Sequence, residues 1–139
     1  MVPLLQLRDV SVSYLLDDRT PVSAIEQAGF DVAAGEAIGL LGDSGCGKST
    51  IAAAVMGLLP ASARLRGSLQ FRGRELLKLP ERDFRRIRGA EISLISQEPA
   101  AALNPVIRVG TQVADVLRAH RPWDRNRCRQ EARTVLREV

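Results

Sequence analysis

Alternating apolar and polar positions predict strands in the first half of the chain. Residues 4–14 alternate, but the phase of the alternation changes near Asp9, and a β-bulge is the feature that produces such a change. Further short strands are predicted over 29–34 and over 67–72, each next to glycines that favour turns. These segments are predicted to form an antiparallel flank.

Two continuous apolar runs, residues 37–41 and 92–95, have a different character. Strands that are buried on both faces, as in parallel sheets, are apolar throughout instead of alternating. We therefore predict that both runs are parallel core strands. Combined with helices, they give an α/β fold in which the antiparallel flank lies beside a parallel core.

Helical spacing and helix-ending residues predict the remaining elements. Helices are expected over 48–59 with Pro60 as the stop, over 81–88, after Pro105, and from Asp124, which is the expected N-cap. In the last of these, Cys128 and Ala132 lie on one apolar stripe that continues to Val139. Since no C-cap glycine follows, we expect the chain to end inside a helix and to be a piece of a longer protein.

Composition limits the classes of protein that need to be considered. With 45% hydrophobic and 26% charged residues, the 139-residue chain is typical of a globular domain and not of a disordered segment. Its longest apolar stretch, 51–59, is much shorter than the roughly 20 residues that span a bilayer, so a cytoplasmic location is expected. The net charge of +4 is concentrated in arginine-rich segments, which are typical either of a solvated face or of a surface that meets nucleic acid, anionic lipid or an acidic partner.

The strongest chemical signal is the segment 42–49, which fits the phosphate-binding pattern G-x-x-x-x-G-K-[ST] between a predicted strand and a predicted helix. Its glycines allow consecutive backbone N–H groups to point at phosphate oxygens, and the helix adds the positive end of its dipole. A chance glycine-rich turn before a core helix is the alternative. The residues predicted to hold the nucleotide phosphates are Gly42, Asp43, Ser44, Gly45, Cys46, Gly47, Lys48, Ser49 and Thr50.

Individual roles follow from the chemistry of the side chains. Lys48 is expected to reach the β- and γ-phosphates as a point charge, the Ser49 hydroxyl to ligate Mg²⁺, and Thr50 to donate on the α-phosphate side. The implied ligand is a nucleoside triphosphate with its metal ion.

Tyr14, the phosphate loop, the apolar run 92–95 and Gln97 occur in an order that resembles the ABC transporter ATPase family. This resemblance implies that ATP and Mg²⁺ are the cofactors and that Tyr14 stacks on the adenine. It also implies that Gln97 contacts the Mg²⁺ ion or its water and relays the nucleotide state to a membrane partner, so that Lys48 and Gln97 are the candidate catalytic residues. The implied domains are 1–98, the amino-terminal part of the nucleotide-binding core, and 99–139, the start of a helical subdomain.

Within that family, Gln97-Glu98-Pro99, Leu103-Asn104-Pro105 and Arg88-Gly89 resemble the subunits that energise oligopeptide, dipeptide and nickel importers. Ser96 departs from the pattern, since an aromatic residue is more usual there. The resemblance implies that the protein pairs with a second ATP-binding subunit and is peripheral on the inner face of the cell membrane. Its partners would be integral membrane permease subunits, with no nucleic acid partner.

Two sequence features of the family are missing. No two glycines are adjacent, so the Leu-Ser-Gly-Gly-Gln signature is not in the sequence, and no apolar run ends in Asp-Glu to supply a catalytic glutamate. We therefore expect these residues alone to bind nucleotide without turning it over. The alternatives are a non-transport P-loop ATPase, a nucleic-acid-associated ABC ATPase, a nucleic-acid-binding module, and a P-loop kinase or GTPase.

Overall fold

Antiparallel strands form a single sheet in the first part of the chain. The computed structural model describes residues 2–16, 20–98 and 102–139. The strands are β1 (Leu5–Leu15), β2 (Pro21–Val32), β3 (Ala63–Phe71) and β4 (Arg74–Glu75), and the sheet order is β2-β1-β3-β4. β1 pairs with β2 on one side and with β3 on the other, so the first strand of the chain is central to the sheet.

The predicted bulge in β1 is confirmed. Asp9 has a φ of 51°, and the register slips between Leu7 and Val10 against β2 and between Arg8 and Ser11 against β3. Side chains alternate with a period of two along a strand, so an irregularity is needed for Leu7 and Val10 to face the same side. Both are completely buried, which places the bulge at the centre of the core of the sheet.

Two strands begin earlier than the sequence pattern predicts. β2 starts at Pro21 and not near residue 29, and β3 starts at Ala63 and not at residue 67. Their first halves contain few buried side chains, so they carry little alternation to recognise. They are strands because β1 supplies a backbone partner, as in the pair of Tyr14 with Val22.

The helices are α1 (Lys48–Val55), α2 (Glu81–Ile87), α3 (Val109–His120) and α4 (Arg125–Val135), with a 3₁₀ turn at Leu76–Lys78. The expected cap of α4 is confirmed, because the Asp124 carboxylate accepts a hydrogen bond of 2.8 Å from the N–H of Arg127. No helix among the described residues is both long and apolar enough to span a membrane.

The predicted end of the first helix is wrong. α1 stops at Val55, and Gly57 follows in the left-handed conformation with φ 61°. The N–H of Gly57 donates to the carbonyl of Ala54 at 3.0 Å and that of Leu58 to the carbonyl of Ala53 at 2.8 Å, the pattern of a Schellman motif. A glycine C-cap therefore ends this helix before Pro60 is reached.

The expectation that the chain ends inside a helix is also wrong. α4 ends at Val135, after which the N–H of Leu136 donates to the carbonyl of Ala132 and that of Arg137 to the carbonyl of Thr134, and Val139 is fully exposed. The predicted apolar stripe is buried at Cys128 and Ala132, which are each 1% exposed. It does not continue as a buried stripe to Val139.

The two predicted parallel core strands are not strands in the structure. Residues 37–41 have no regular structure, and Leu41 is 96% exposed. In 92–95 the parallel pairing is limited to one isolated bridge between Ile92 and Arg88, and Ile95 is 91% exposed. A parallel strand needs neighbouring strands for its N–H and C=O groups, and the described strands all pair antiparallel with one another. The mixed α/β class holds, but the described sheet is antiparallel.

The chain divides into two compact units, Met1–Phe84 and Arg85–Val139. Buried residues of the first unit lie mainly on the sheet and α1, whereas in the second unit Ala114, Cys128 and Ala132 form a small core with Val113, Leu117 and Trp123. Residue 99, at which the sequence places the start of a second domain, lies outside the described residues, and that boundary stays a prediction.

Glu75 in β4 ties the end of the sheet to the 3₁₀ turn. Its carboxylate accepts hydrogen bonds from the Ser68 hydroxyl at 2.5 Å and from the N–H groups of Leu69 and Leu77 at 3.1 and 3.2 Å. Partial burial by itself raises the pKa of Glu75, but these donors together outweigh it and hold the pKa below its ordinary value. The charged form is thus the one that the folded protein stabilises.

We predict that Glu75→Gln lowers the free energy of unfolding by about 1 kcal/mol at neutral pH, because an amide is a weaker acceptor than a carboxylate. The contribution of a carboxyl with a lowered folded pKa is complete above its unfolded pKa and is lost as the pH falls through the folded value. The difference between Glu75→Gln and the parent in urea denaturation should therefore shrink on acidification. Exposed Glu26→Gln is the control and should change little at any pH.

Candidate functional site

The phosphate loop leads into α1 through a residue that only glycine occupies easily. Gly47 is the N-cap of α1 with φ 91° and ψ 4°, and it provides no side-chain cap. Among the described residues, the N–H groups of Gly45, Gly47 and Lys48 have no hydrogen-bond acceptor. Unpaired N–H groups at the positive end of a helix form a binding site for an oxyanion.

The loop approaches β2 closely at Gly47. A Cβ atom at this position would lie 2.5 Å from the carbonyl oxygen of Ala24 and 3.0 Å from Cγ1 of Ile25, and Ile25 is buried. These contacts explain how the sheet positions the loop, although residues 37–41 between them form no strand. Ala24 and Ile25 could not be predicted as supports of the loop, because the first half of β2 has few buried side chains and little alternation.

A second close approach occurs inside the loop. A Cβ atom at Gly42 would lie 2.7 Å from Sγ of Cys46, so the thiol occupies the space that a side chain at position 42 would need. The N–H of Cys46 donates to the carbonyl of Asp43 at 3.3 Å, which closes the turn. The Cys46 side chain could rotate to relieve this contact, so it is the φ of 153° at Gly42 that favours glycine at position 42.

The ammonium group of Lys48 lies across the loop. Its Nζ donates to the carbonyl oxygens of Gly42 and Asp43 at 2.7 and 2.6 Å and lies 3.3 Å from Sγ of Cys46. The side chain therefore points back from α1 across the loop. An anion bound by the N–H groups of this loop would also interact with one full positive charge.

The remaining loop residues are accessible from solvent. Asp43, Ser44 and Ser49 are exposed, and Thr50 is half-buried. Neither serine hydroxyl has a hydrogen-bond partner among the described residues, so the Ser49 hydroxyl is available to a ligand. The role of Ser49 as a metal ligand stays a prediction.

Tyr14 lies beside the same site. Its hydroxyl is 3.5 Å from Oγ1 of Thr50, a residue 36 positions away in the sequence and in the first turn of α1. That distance is long for a hydrogen bond between hydroxyls, so the contact is weak. It nevertheless shows that β1 brings the predicted adenine-stacking residue next to the predicted phosphate loop.

Gln97 is in the second unit and not in the unit that holds Tyr14 and the loop. It is exposed and lies on a bend, where the Ser96 hydroxyl donates to the carbonyl of Glu98 at 3.2 Å. Its role as a metal-side residue therefore stays a prediction.

Gln112 in α3 has a structural role that the sequence did not reveal. Its side chain accepts from the N–H of Asn104 at 2.9 Å and donates to the carbonyls of Asn104 and Ile107 at 2.9 and 2.7 Å. Asn104 in turn accepts from the N–H of Val106 at 3.0 Å. The Leu103-Asn104-Pro105 segment is therefore fastened to α3, a contact that no local sequence pattern could have indicated.

Comparison with known proteins identifies the family. The family model for the ABC transporter matches residues 25–139, which is most of the chain and includes the whole phosphate loop. The chain belongs to the ABC transporter family.

The relatives include peptide-transport proteins. The chain is 40% identical over 98% of its length to the oligopeptide transport ATP-binding protein OppD of Escherichia coli, covering 40% of that protein. It is 37% identical over 98% of its length to the dipeptide transport ATP-binding protein DppD of Bacillus subtilis, covering 41% of it. The peptidoglycan transport ATP-binding protein YejF of Agrobacterium fabrum is also 37% identical over 99% of the chain, which covers 25% of that relative. The chain thus spans less than half the length of these relatives.

Proposed function

We propose that the chain is the nucleotide-binding part of an ATPase subunit that energises the uptake of peptides through a membrane permease. The observation that carries the proposal is the position of the Lys48 ammonium, which donates to the carbonyl oxygens of Gly42 and Asp43 in a chain of the ABC transporter family. In the same loop the N–H groups of Gly45 and Gly47 have no acceptor among the described residues and can bind an oxyanion. Its relatives include oligopeptide and dipeptide transport proteins, which supports peptides as the solute class.

The ligand that fits this site is ATP with Mg²⁺. Lys48 and the loop N–H groups would hold the phosphates, and Thr50 would donate on the α-phosphate side. Ser49 has a free hydroxyl for the metal, and Gln97 is the proposed second contact to the metal or its water. When bound, Mg²⁺ neutralises charge on the phosphate oxygens.

The partners follow from membership of the family. We propose that the whole protein sits on the inner face of the cell membrane, bound to integral membrane permease subunits and paired with a second ATP-binding subunit. In this proposal residues 1–98 belong to the nucleotide-binding core and 99–139 begin a helical subdomain. Asn104, which is hydrogen-bonded to Gln112 of α3, follows Gln97 in the chain.

We predict that the 139-residue chain binds MgATP but does not hydrolyse it steadily. Hydrolysis requires the γ-phosphate to be held, the metal to be ligated and the attacking water to be oriented, and here Lys48, Ser49 and Gln97 serve only the first two needs. Calorimetry with MgATP and a phosphate-release assay on the same preparation test both parts.

Steady phosphate release that disappears in Lys48→Ala would show that the catalytic set is complete in these residues. Absence of binding by a folded preparation would contradict the nucleotide-site assignment itself. Equal heats with MgATP and with Mg²⁺ alone would have the same meaning.

We predict that Tyr14→Ala weakens MgATP binding by about 1–3 kcal/mol, whereas Tyr14→Phe has almost no effect. Stacking uses the ring face, and the hydroxyl makes only the long 3.5 Å contact with Thr50. The three proteins are compared by calorimetric titration.

Tyr14→Trp, which keeps an aromatic face, should also bind like the parent. If Tyr14→Phe instead bound as weakly as Tyr14→Ala, the contact with Thr50 and not stacking would be the role of this residue. Urea denaturation of each variant separates a binding effect from a loss of packing in the half-buried strand position.

A further inference from the structure

The hairpin of α3 and α4 contains a basic cavity that the proposed function does not use. It has a volume of about 440 Å³ and is lined by Arg108, Gly110, Thr111, Arg129 and Arg133. Arg108 is the N-cap of α3, and Arg129 and Arg133 are one turn apart on α4. Arginines from the start of α3 and from α4 thus line the same cavity.

Within the described residues, these three arginines differ from Arg118 and Arg127 of the same hairpin, each of which has a partner. Arg118 is 3.2 Å from the Asp115 carboxylate, and the guanidinium of Arg127 lies 4.4 Å from the centre of the Trp123 ring. Within the described part of the chain, no carboxylate pairs with Arg108, Arg129 or Arg133.

The arrangement carries an electrostatic cost when no anion is bound. Like charges one turn apart on a helix repel each other, which applies to Arg129 and Arg133. Arg108 stands at the amino end of α3, where the helix dipole disfavours a cation. An anion in the cavity removes both penalties at once.

The cavity also offers uncharged donors. The N–H of Gly110 has no acceptor among the described residues, and the Thr111 hydroxyl is exposed at the same place. A smaller cavity of about 130 Å³, lined in part by Arg125, shares Thr111 and Arg129 with the first one. The two cavities together form one groove between α3 and α4, and hydrogen-bond donors line its whole length.

We propose that this groove is a binding site for an oxyanion of the phosphate class. A carboxylate accepts one guanidinium fork, whereas a phosphate group presents oxygens in several directions and accepts from several arginines together. The site is independent of the nucleotide site, because none of its residues belongs to the phosphate loop. The phosphate group can be that of a free phosphate ion or that of an anionic lipid headgroup.

The first experiment uses pyrophosphate as the probe in calorimetric titrations. All proteins carry Lys48→Ala, which removes the main charge of the nucleotide site. Arg129→Gln and Arg133→Gln are each expected to weaken pyrophosphate binding about tenfold, since each removes one charge-assisted fork. Arg137→Gln, which removes the same charge outside the groove, is the matched control and should bind like the Lys48→Ala parent.

The second experiment separates the two sources of phosphate. Cosedimentation is measured with vesicles of phosphatidylglycerol mixed with phosphatidylcholine and with vesicles of phosphatidylcholine alone. If the protein is retained on the anionic vesicles, and Arg129→Gln loses this retention while Arg137→Gln keeps it, the ligand is the lipid headgroup. Pyrophosphate binding without any such retention assigns free phosphate.

Two results would overturn the proposal. One is an equal loss of affinity in Arg129→Gln, Arg133→Gln and Arg137→Gln, which would mean that only net charge matters. The other is no saturable binding of pyrophosphate together with no difference between the two vesicle types.

Arg129→Lys keeps the charge but lacks the two-pronged guanidinium, so its affinity for pyrophosphate should fall between that of the parent and that of Arg129→Gln.

Discussion

Lys48→Ala is expected to weaken MgATP binding by about a hundredfold or more, because it removes the ammonium group that lies inside the phosphate loop. In the structure this group already contacts the carbonyl oxygens of Gly42 and Asp43 at 2.7 and 2.6 Å, so it is held where phosphate oxygens would arrive. Neutral N–H groups alone compensate only part of the charge of a triphosphate.

The same substitution should have little effect on folding. Both carbonyl oxygens belong to exposed residues and can bond to water when the ammonium group is removed. We expect the free energy of unfolding to fall by no more than about 1 kcal/mol. A large loss of binding with nearly unchanged urea denaturation is therefore the result that assigns Lys48 to the ligand.

Lys78→Ala provides the matched control, since it removes the same charge from the end of the 3₁₀ turn, outside the loop. It should bind MgATP as the parent does. Equal affinity of Lys48→Ala and the parent would remove the assignment of this loop as a nucleotide site. An equal loss in both lysine variants would show only a general effect of charge.

Gly47→Ala is expected to lower the free energy of unfolding by about 3 kcal/mol and to abolish nucleotide binding. The added Cβ would lie 2.5 Å from the carbonyl oxygen of Ala24, and this neighbour is backbone and cannot rotate away. The φ of 91° at Gly47 adds conformational strain for any L-residue. Both effects displace the start of α1 from β2, and with it the N–H groups of the loop.

Gly45→Ala separates the two contributions. Gly45 has a similar φ of 83°, but a Cβ there would have no neighbour within 4 Å. It should therefore show the backbone strain alone, about 1 kcal/mol. Urea denaturation and MgATP titration of the two variants are compared. Equal losses in Gly45→Ala and Gly47→Ala would contradict the close approach between the loop and β2.

Local chemistry in the sequence was sufficient to predict much of the candidate site. The glycine spacing and Lys48-Ser49 predict the phosphate loop, since its pattern depends on residues that follow one another in the chain. The same holds for the bulge near Asp9 and for the Asp124 cap, which are confirmed by a positive φ and by a hydrogen bond to Arg127. Each of these features is decided within a few residues.

Other features depended on partners that are distant in the chain. The apolar run 37–41 predicted a parallel strand, but strands exist only where another strand supplies hydrogen bonds, and β1 pairs instead with β2 and β3. The support of Gly47 by Ala24 and the contact of Tyr14 with Thr50 also join separate segments. The residues predicted to bind phosphate could be named from the sequence alone, because the pattern that predicts them is local. Their surroundings became known only from the folded chain, because pairing and packing join segments whose proximity no local pattern encodes.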